Sequence, residues 1–152
     1  MNLKQLNVLL ADDDRDDCNF FKKALDALEL STRLTVVSDG EQLMQLLADA
    51  AMEPDAELMP DVLFLDINMP RKNGLECLSE MKRNEKLKDL PVIIFSTSNS
   101  QDKINLLFKN GAHVYVHKPG SFSQLKEVIY HALPIAVEKK SSNGRVKYIL
   151  NA

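Results

Sequence analysis

Five short apolar runs in this 152-residue chain each give way to side chains with chemistry to offer. Residues 6–11 run into Asp12-Asp13-Asp14, 33–37 into Ser38-Asp39, 61–65 into Asp66, 92–95 into Ser96-Thr97-Ser98, and 113–116 into His117-Lys118-Pro119. A carboxylate that closes a buried run is costly unless it is paired, hydrogen-bonded or bound to metal. Carboxylates that converge from several runs add to the cost, because each disfavours ionisation of the others until a cation joins them. Mg²⁺ suits such a place: it is a hard ion that takes carboxylate and carbonyl oxygens, keeps several waters and is often completed by a phosphate oxygen. A lysine point charge and a small hydroxyl suit the other oxygens of a transferring phosphoryl group. Asp66, a Mg²⁺, Lys118 and Ser96 together form a set that can hold a phosphoryl group as an aspartyl phosphate on Asp66.

The elements that would bring these residues together are legible in the periodicity. The runs "LNVLLA", "RLTVV", "DVLFL", "VIIF" and "HVYV" are continuous and mostly β-branched or aromatic-rich, the pattern of strands buried on both faces of a parallel sheet. Helical spacing fills the intervals. Phe21, Leu25 and Leu28 form one stripe, and Leu43, Leu46 and Leu47 form another after Ser38 and Glu41 at capping-box spacing. Leu75, Leu78 and Met81 follow Asn73-Gly74, and Ile104, Leu107 and Phe108 precede the stop signal Asn110-Gly111. Phe122, Leu125, Val128, Ile129 and Ala132 form the last stripe, opened by Ser121 and Gln124. Strand and helix alternate five times, which predicts an α/β fold with a doubly wound parallel sheet and right-handed crossovers. In such a sheet ligands bind beyond the carboxyl ends of the strands, where the acids, the hydroxyls and the lysine fall.

Bulk properties narrow the function. The length suits one domain, expected over residues 1–133. A net charge of −3 gives no electrostatic reason to expect nucleic acid or an anionic membrane as partner. No apolar run reaches membrane-spanning length, and the N-terminus does not read as a signal peptide, so the expected location is the cytoplasm. Cys18 and Cys77 lack metal-ligand spacing and read as reduced thiols. Residues 49–61 read as an acidic loop with two prolines. Residues 134–152 read as a basic tail, either disordered or folded into a small hairpin about Asn143-Gly144.

Four stretches, "LLADDDRDD", "FLDINMP", "IIFSTS" and "YVHKPG", resemble in order and spacing the receiver domains of two-component response regulators, of the CheY-like, stand-alone type. The likeness covers roughly residues 6–133 and implies the flavodoxin-like strand order 2-1-3-4-5. It implies that Asp66 is the phosphoacceptor, that Asp13 ligates Mg²⁺ directly, that Asp12 holds a metal water, and that the backbone carbonyl of Asn68 is a further ligand. It places Ser96 and Lys118 on the phosphoryl oxygens, with Pro119 next, in many members after a cis bond. Tyr115 falls on the aromatic position whose inward swing accompanies movement of the Ser96 hydroxyl. The implied donor is a sensor histidine kinase or a histidine phosphotransfer protein. The implied output is contact with a downstream protein or a homodimer through the face of helix four, strand five and helix five, since the residues after 133 are too few for an output domain.

Other readings of the same residues carry discriminating features. Taken singly, Asp66 could cap a helix, Lys118 could be a solvated loop lysine and Tyr115 could be a core residue. A phosphohydrolase of the haloacid-dehalogenase type would need a second acid where this chain has Asn68. A flavodoxin-like FMN binder would need a phosphate-cradling loop where three acids stand. A receiver-like module that binds partners without phosphorylation would lack a site residue, and here none is missing.

Overall fold

The computed structural model describes residues 5–52, 59–98, 100–139 and 148–150. Strands β1 (Leu6–Ala11), β2 (Thr32–Val37), β3 (Val62–Leu65), β4 (Val92–Ser96) and β5 (Val114–His117) alternate with helices α1 (Arg15–Ala27), α2 (Gly40–Met52), α3 (Gly74–Lys82), α4 (Gln101–Lys109) and α5 (Phe122–Lys139). All the pairings are parallel, in the order β2-β1-β3-β4-β5, and a sixth strand, β6 (Tyr148–Leu150), extends the sheet beyond β5.

The continuous apolar strands divide their side chains between two cores because successive residues point to opposite faces. Val8 and Leu10 of β1, with Phe64 of β3, face Phe21, Ala24 and Leu25 of α1 and Leu125, Val128 and Ile129 of α5. Leu9, Ala11, Leu63 and Leu65 face Leu43 and Leu47 of α2, Leu78 and Met81 of α3, and Leu107 of α4. Burying each of these large side chains is worth about 1.5–3 kcal/mol. β3 and β4 are buried along their whole length, whereas the edge strand β2 exposes Arg33, Thr35 and Val36.

Several local expectations need correction. α2 is capped by Asp39, which accepts from Gln42 N at 2.8 Å, and not by Ser38, whose N–H and hydroxyl both go to Gln42 Oε1. The helix continues to Met52, into the stretch read as an acidic loop. The last helix does not stop at Leu133 but passes through Pro134 to Lys139. A proline there removes the hydrogen bond to the carbonyl of Tyr130 and crowds it, at a cost of about 3 kcal/mol. Burial of Leu133 and Ala136 against the α1 side of the sheet offsets that cost. The Asn143-Gly144 turn lies outside the described residues. The three residues that follow as β6 pair in parallel with β5, Tyr115 opposite Ile149.

The aromatic cluster under α1 is a test of where stability resides. Phe64 is fully buried, with ring centroids 4.8 Å from Phe21 and 6.4 Å from Phe95. Phe64→Ala is expected to lower the urea unfolding free energy by about 3–5 kcal/mol. Met52→Ala, at a side chain 82% exposed, should stay within about 0.5 kcal/mol.

Candidate functional site

The parallel sheet brings the carboxyl ends of β1, β3, β4 and β5 to one rim, and each delivers one part of the site. β1 ends on Asp12, whose N–H donates to Val37 O at 3.1 Å, and β3 ends on Asp66, whose N–H donates to Ala11 O at 2.9 Å. The acids are thus held by ladder hydrogen bonds rather than by a free loop. Carboxylate oxygens of Asp12, Asp13 and Asp66 all lie within 4.8 Å of one another. Asp12 and Asp66 are buried and Asp13 is exposed. Asp14, the third acid of the run, is the N-cap of α1 and accepts from Asp17 N at 3.0 Å.

Lys118 supplies the opposing charge. Its Nζ lies 2.8 Å from Asp12 Oδ2, 2.8 Å from Asp17 Oδ2 and 3.6 Å from Asp66 Oδ2. Burial opposes the charge on Lys118, but the hydrogen bonds to Asp12 and Asp17 and the nearby Asp66 outweigh it, so its pKa is raised. Burial pushes the Asp66 carboxyl up to about 6. Lys118 pulls it down, Asp12 pushes it up again, and the Asn68 N–H that it accepts lowers it.

The remaining expected residues take distinct places. Ser96 closes β4 with its side chain fully buried, and its Oγ accepts from Ser98 N at 3.1 Å. Tyr115 is turned inward, 2% exposed, and its hydroxyl donates to Ser98 O. Burial raises its pKa, which keeps the phenol protonated as that donor. Asn68 is exposed on the β3–α3 loop, two residues past Asp66. Lys118 N donates to Ser96 O at 2.8 Å, and all described peptide bonds are trans, that before Pro119 included. His117 Nε2 is 3.1 Å from Thr97 O, a contact that ties the β4–α4 loop to β5 and gives the histidine no place among the acids.

Two contributors were not visible from spacing alone. Asp17 meets Lys118 across 101 positions of sequence, and only the fold, which brings the start of α1 to the end of β5, makes them neighbours. Gly74 was legible as a helix-start signal but has a second duty. A Cβ there would lie 2.4 Å from Asp66 O and 2.8 Å from Ile67 Cα, so the chain after Asp66 can close only on a glycine. Arg71, at φ +68°, stands in the left-handed region in the same loop, with its Nε 3.3 Å from Asp39 Oδ2.

The donor set fits a hard divalent cation. It offers three carboxylates and no sulfur or imidazole, and a single buried lysine does not neutralise them. The chain belongs to the response regulator receiver domain family, whose model matches residues 8–130. It is 30% identical to a probable methanogenesis regulatory protein, FilR2, of Methanothrix harundinacea over 80% of this chain and 77% of that one. It is 27% identical to the response regulator Rcp1 of Synechocystis sp., over 80% of this chain and 82% of that one. The structure of the phosphorylated cyanobacterial phytochrome response regulator RcpA superposes with a TM-score of 0.77 at 27% identity, covering 90% of this chain and 96% of that chain. The Mn²⁺-bound form of Rcp1 gives a TM-score of 0.72 at 26% identity, covering 83% and 90%. The chain is therefore a receiver domain of two-component signalling, of a family that binds divalent metal and works with histidine kinases or phosphotransfer proteins.

The raised Asp66 carboxyl makes metal-free stability depend on pH in a defined direction. Folded Asp66 keeps its proton to about pH 6, whereas an ordinary aspartate loses it near 3.8. Between those values the folded state binds more protons, so stability falls as pH rises through the window. In chelator, Asp66→Asn should therefore be more stable than wild type at pH 7, by up to about 3 kcal/mol, and the gap should close towards pH 4. Urea unfolding of both proteins at the two pH values measures it.

Proposed function

We propose that this chain is a phosphorylatable switch in which Asp66 accepts a phosphoryl group from the phosphohistidine of a sensor histidine kinase or a histidine phosphotransfer protein. The observation that carries the reading is the clustering of Asp12, Asp13 and Asp66 carboxylate oxygens within 4.8 Å of one another, with the ammonium of Lys118 on the two buried ones, Asp12 and Asp66. A carboxylate oxygen of Asp66 forms the bond to phosphorus as the bond to the donor imidazole breaks. Mg²⁺ would be held by Asp13, Asp66 and the backbone carbonyl of Asn68, with Asp12 holding a metal water, and bound there it would neutralise charge on the phosphoryl oxygens. The Mn²⁺-bound form of Rcp1 supports a divalent ion in this place.

Lys118 is 3.6 Å from the accepting carboxylate and needs only a short reach to the added oxygens. Ser96 is the hydroxyl at the end of the adjacent strand, and Ser98 links it to Tyr115. An added charge of about −1.5 to −2 at this rim favours drawing Ser96 and Lys118 onto it. Tyr115 is placed to register the shift of the 96–98 segment, and the face of α4, β5 and α5 carries it outward. Leu106 of α4 is exposed, and a downstream protein or a second copy of this chain is the occupant of that face in this reading. β6 lies along the β5 edge, so such a partner meets helix surfaces rather than a bare strand.

Turnover of phosphate esters is not favoured, because the position of a second, general-acid carboxylate is the exposed Asn68. No helix among the described residues is long and apolar enough to cross a membrane, and we place the switch in the cytoplasm with its donor.

Incubation with acetyl phosphate and Mg²⁺ should add the mass of one phosphoryl group to the intact protein. Asp66→Asn and a chelator should each abolish the gain. An unchanged mass under conditions in which another receiver reacts would leave a phosphorylation-independent binding module.

A further inference from the structure

We propose that Asp17 is a positioning residue that holds Lys118 clear of the cation ligands, so that the lysine and a divalent ion can occupy the site together. The inference rests on the phosphoacceptor reading above and assigns a part to a side chain outside the cation cluster.

Its basis is a conflict of charges at the rim. Lys118 is nine-tenths buried and directs its ammonium at three carboxylates. Two of them, Asp12 and Asp66, belong to the group whose oxygens lie within 4.8 Å and could hold a metal ion. Left with those two alone, Lys118 would compete with a cation for the same oxygens, because each positive charge near a carboxylate lowers its attraction for another. Both Asp12 oxygens are already engaged, Oδ2 by Lys118 and Oδ1 by Asp14 N at 3.0 Å, so a cation there would have to share them with the lysine.

Asp17 resolves the conflict by geometry. It sits on the first turn of α1, outside the cation cluster, with its Oδ2 2.8 Å from Lys118 Nζ, as close as Asp12. A cation that takes up Asp12 and Asp66 thus leaves Lys118 one full partner and no reason to follow. Held by Asp17, the ammonium still stands 3.6 Å from Asp66 Oδ2, where a phosphoryl oxygen on that carboxylate would be its next partner.

The plain alternative is that Asp17 is only a first-turn acid favoured by the helix dipole, as Asp16 beside it is. That role does not involve Lys118, and a cycle of two substitutions separates the roles. Mg²⁺ affinity is measured by titration calorimetry for wild type, Asp17→Asn, Lys118→Met and the double variant, with thermal unfolding to confirm that each is folded. Asp17→Asn should weaken Mg²⁺ binding by about three-fold or more in the presence of Lys118, on the scale of a half-exposed ion pair. With Lys118→Met in place the same substitution should have little effect, and Asp17→Glu in the presence of Lys118 should keep most of the affinity that Asp17→Asn loses.

Equal weakening with and without Lys118 would mean a through-space charge effect and would overturn the proposal. So would no weakening in either background, while acetyl phosphate labelling of the wild type would leave the phosphoacceptor reading standing. If the wild type neither binds Mg²⁺ nor accepts a phosphoryl group, that reading falls and this inference falls with it.

Discussion

Lys118 meets Asp12, Asp17 and Asp66 at a buried rim, and the surrounding architecture can be understood as a means of keeping that meeting in place. Removing two carboxylates from water is costly, and one ammonium with good hydrogen bonds recovers only part of the cost. The remainder shows in Asp66, whose carboxyl is pushed up to about 6 even with Lys118 opposing the shift. A site left this far short of neutrality favours any arriving positive charge, which is why a divalent ion suits it. The same ion would then let a phosphoryl group approach acids that otherwise repel it. The buried lysine and the excess negative charge of the acids are two sides of one balance.

The scaffold meets the demand through direction. In a parallel sheet every strand ends at the same rim, so four separate strand ends deliver an acid, an acid, a hydroxyl and a lysine without any loop having to travel far. Register fixes the rest: Ala11 pairs with Leu65 and Ser96 with His117, so Asp12 and Asp66 leave adjacent strands at the same level. Gly74 then lets the chain close back over Asp66 within a distance that no Cβ would allow.

Most of this frame was legible before the structure. Continuous apolar runs mark doubly covered strands, and each run was followed by the residue types that the rim collects. The strand order was not in the periodicity and came with the family resemblance. What escaped detection depends on contacts between distant segments. Asp17 looked like one acid among five because nothing in its neighbourhood points to Lys118. Pro134 read as the end of a helix, since its local cost is real, but burial of Ala136 beyond it favours continuing. The cap of α2 shifted from Ser38 to Asp39 because both residues satisfy the local rule and only the fold chooses.

The segment 96–98 shows how a change at the rim could leave the site. Each of its three residues is tied to β5 or the residue that follows it: Ser96 O accepts from Lys118 N, Thr97 O meets His117 Nε2, and Ser98 O accepts from the Tyr115 hydroxyl. β5 itself is hydrogen-bonded on both edges, to β4 and to β6, and its apolar residues are buried. A strand held on both sides resists displacement as a whole, so motion of the segment has its easiest outlet in side chains. Tyr115 alone among the three links joins the segment through a long side chain rooted in the core. A displaced Ser98 carbonyl would leave its buried hydroxyl without an acceptor, and an unpaired buried hydroxyl is costly. The ring must then follow the carbonyl or turn to a new partner, and either response changes the surface between α4 and α5.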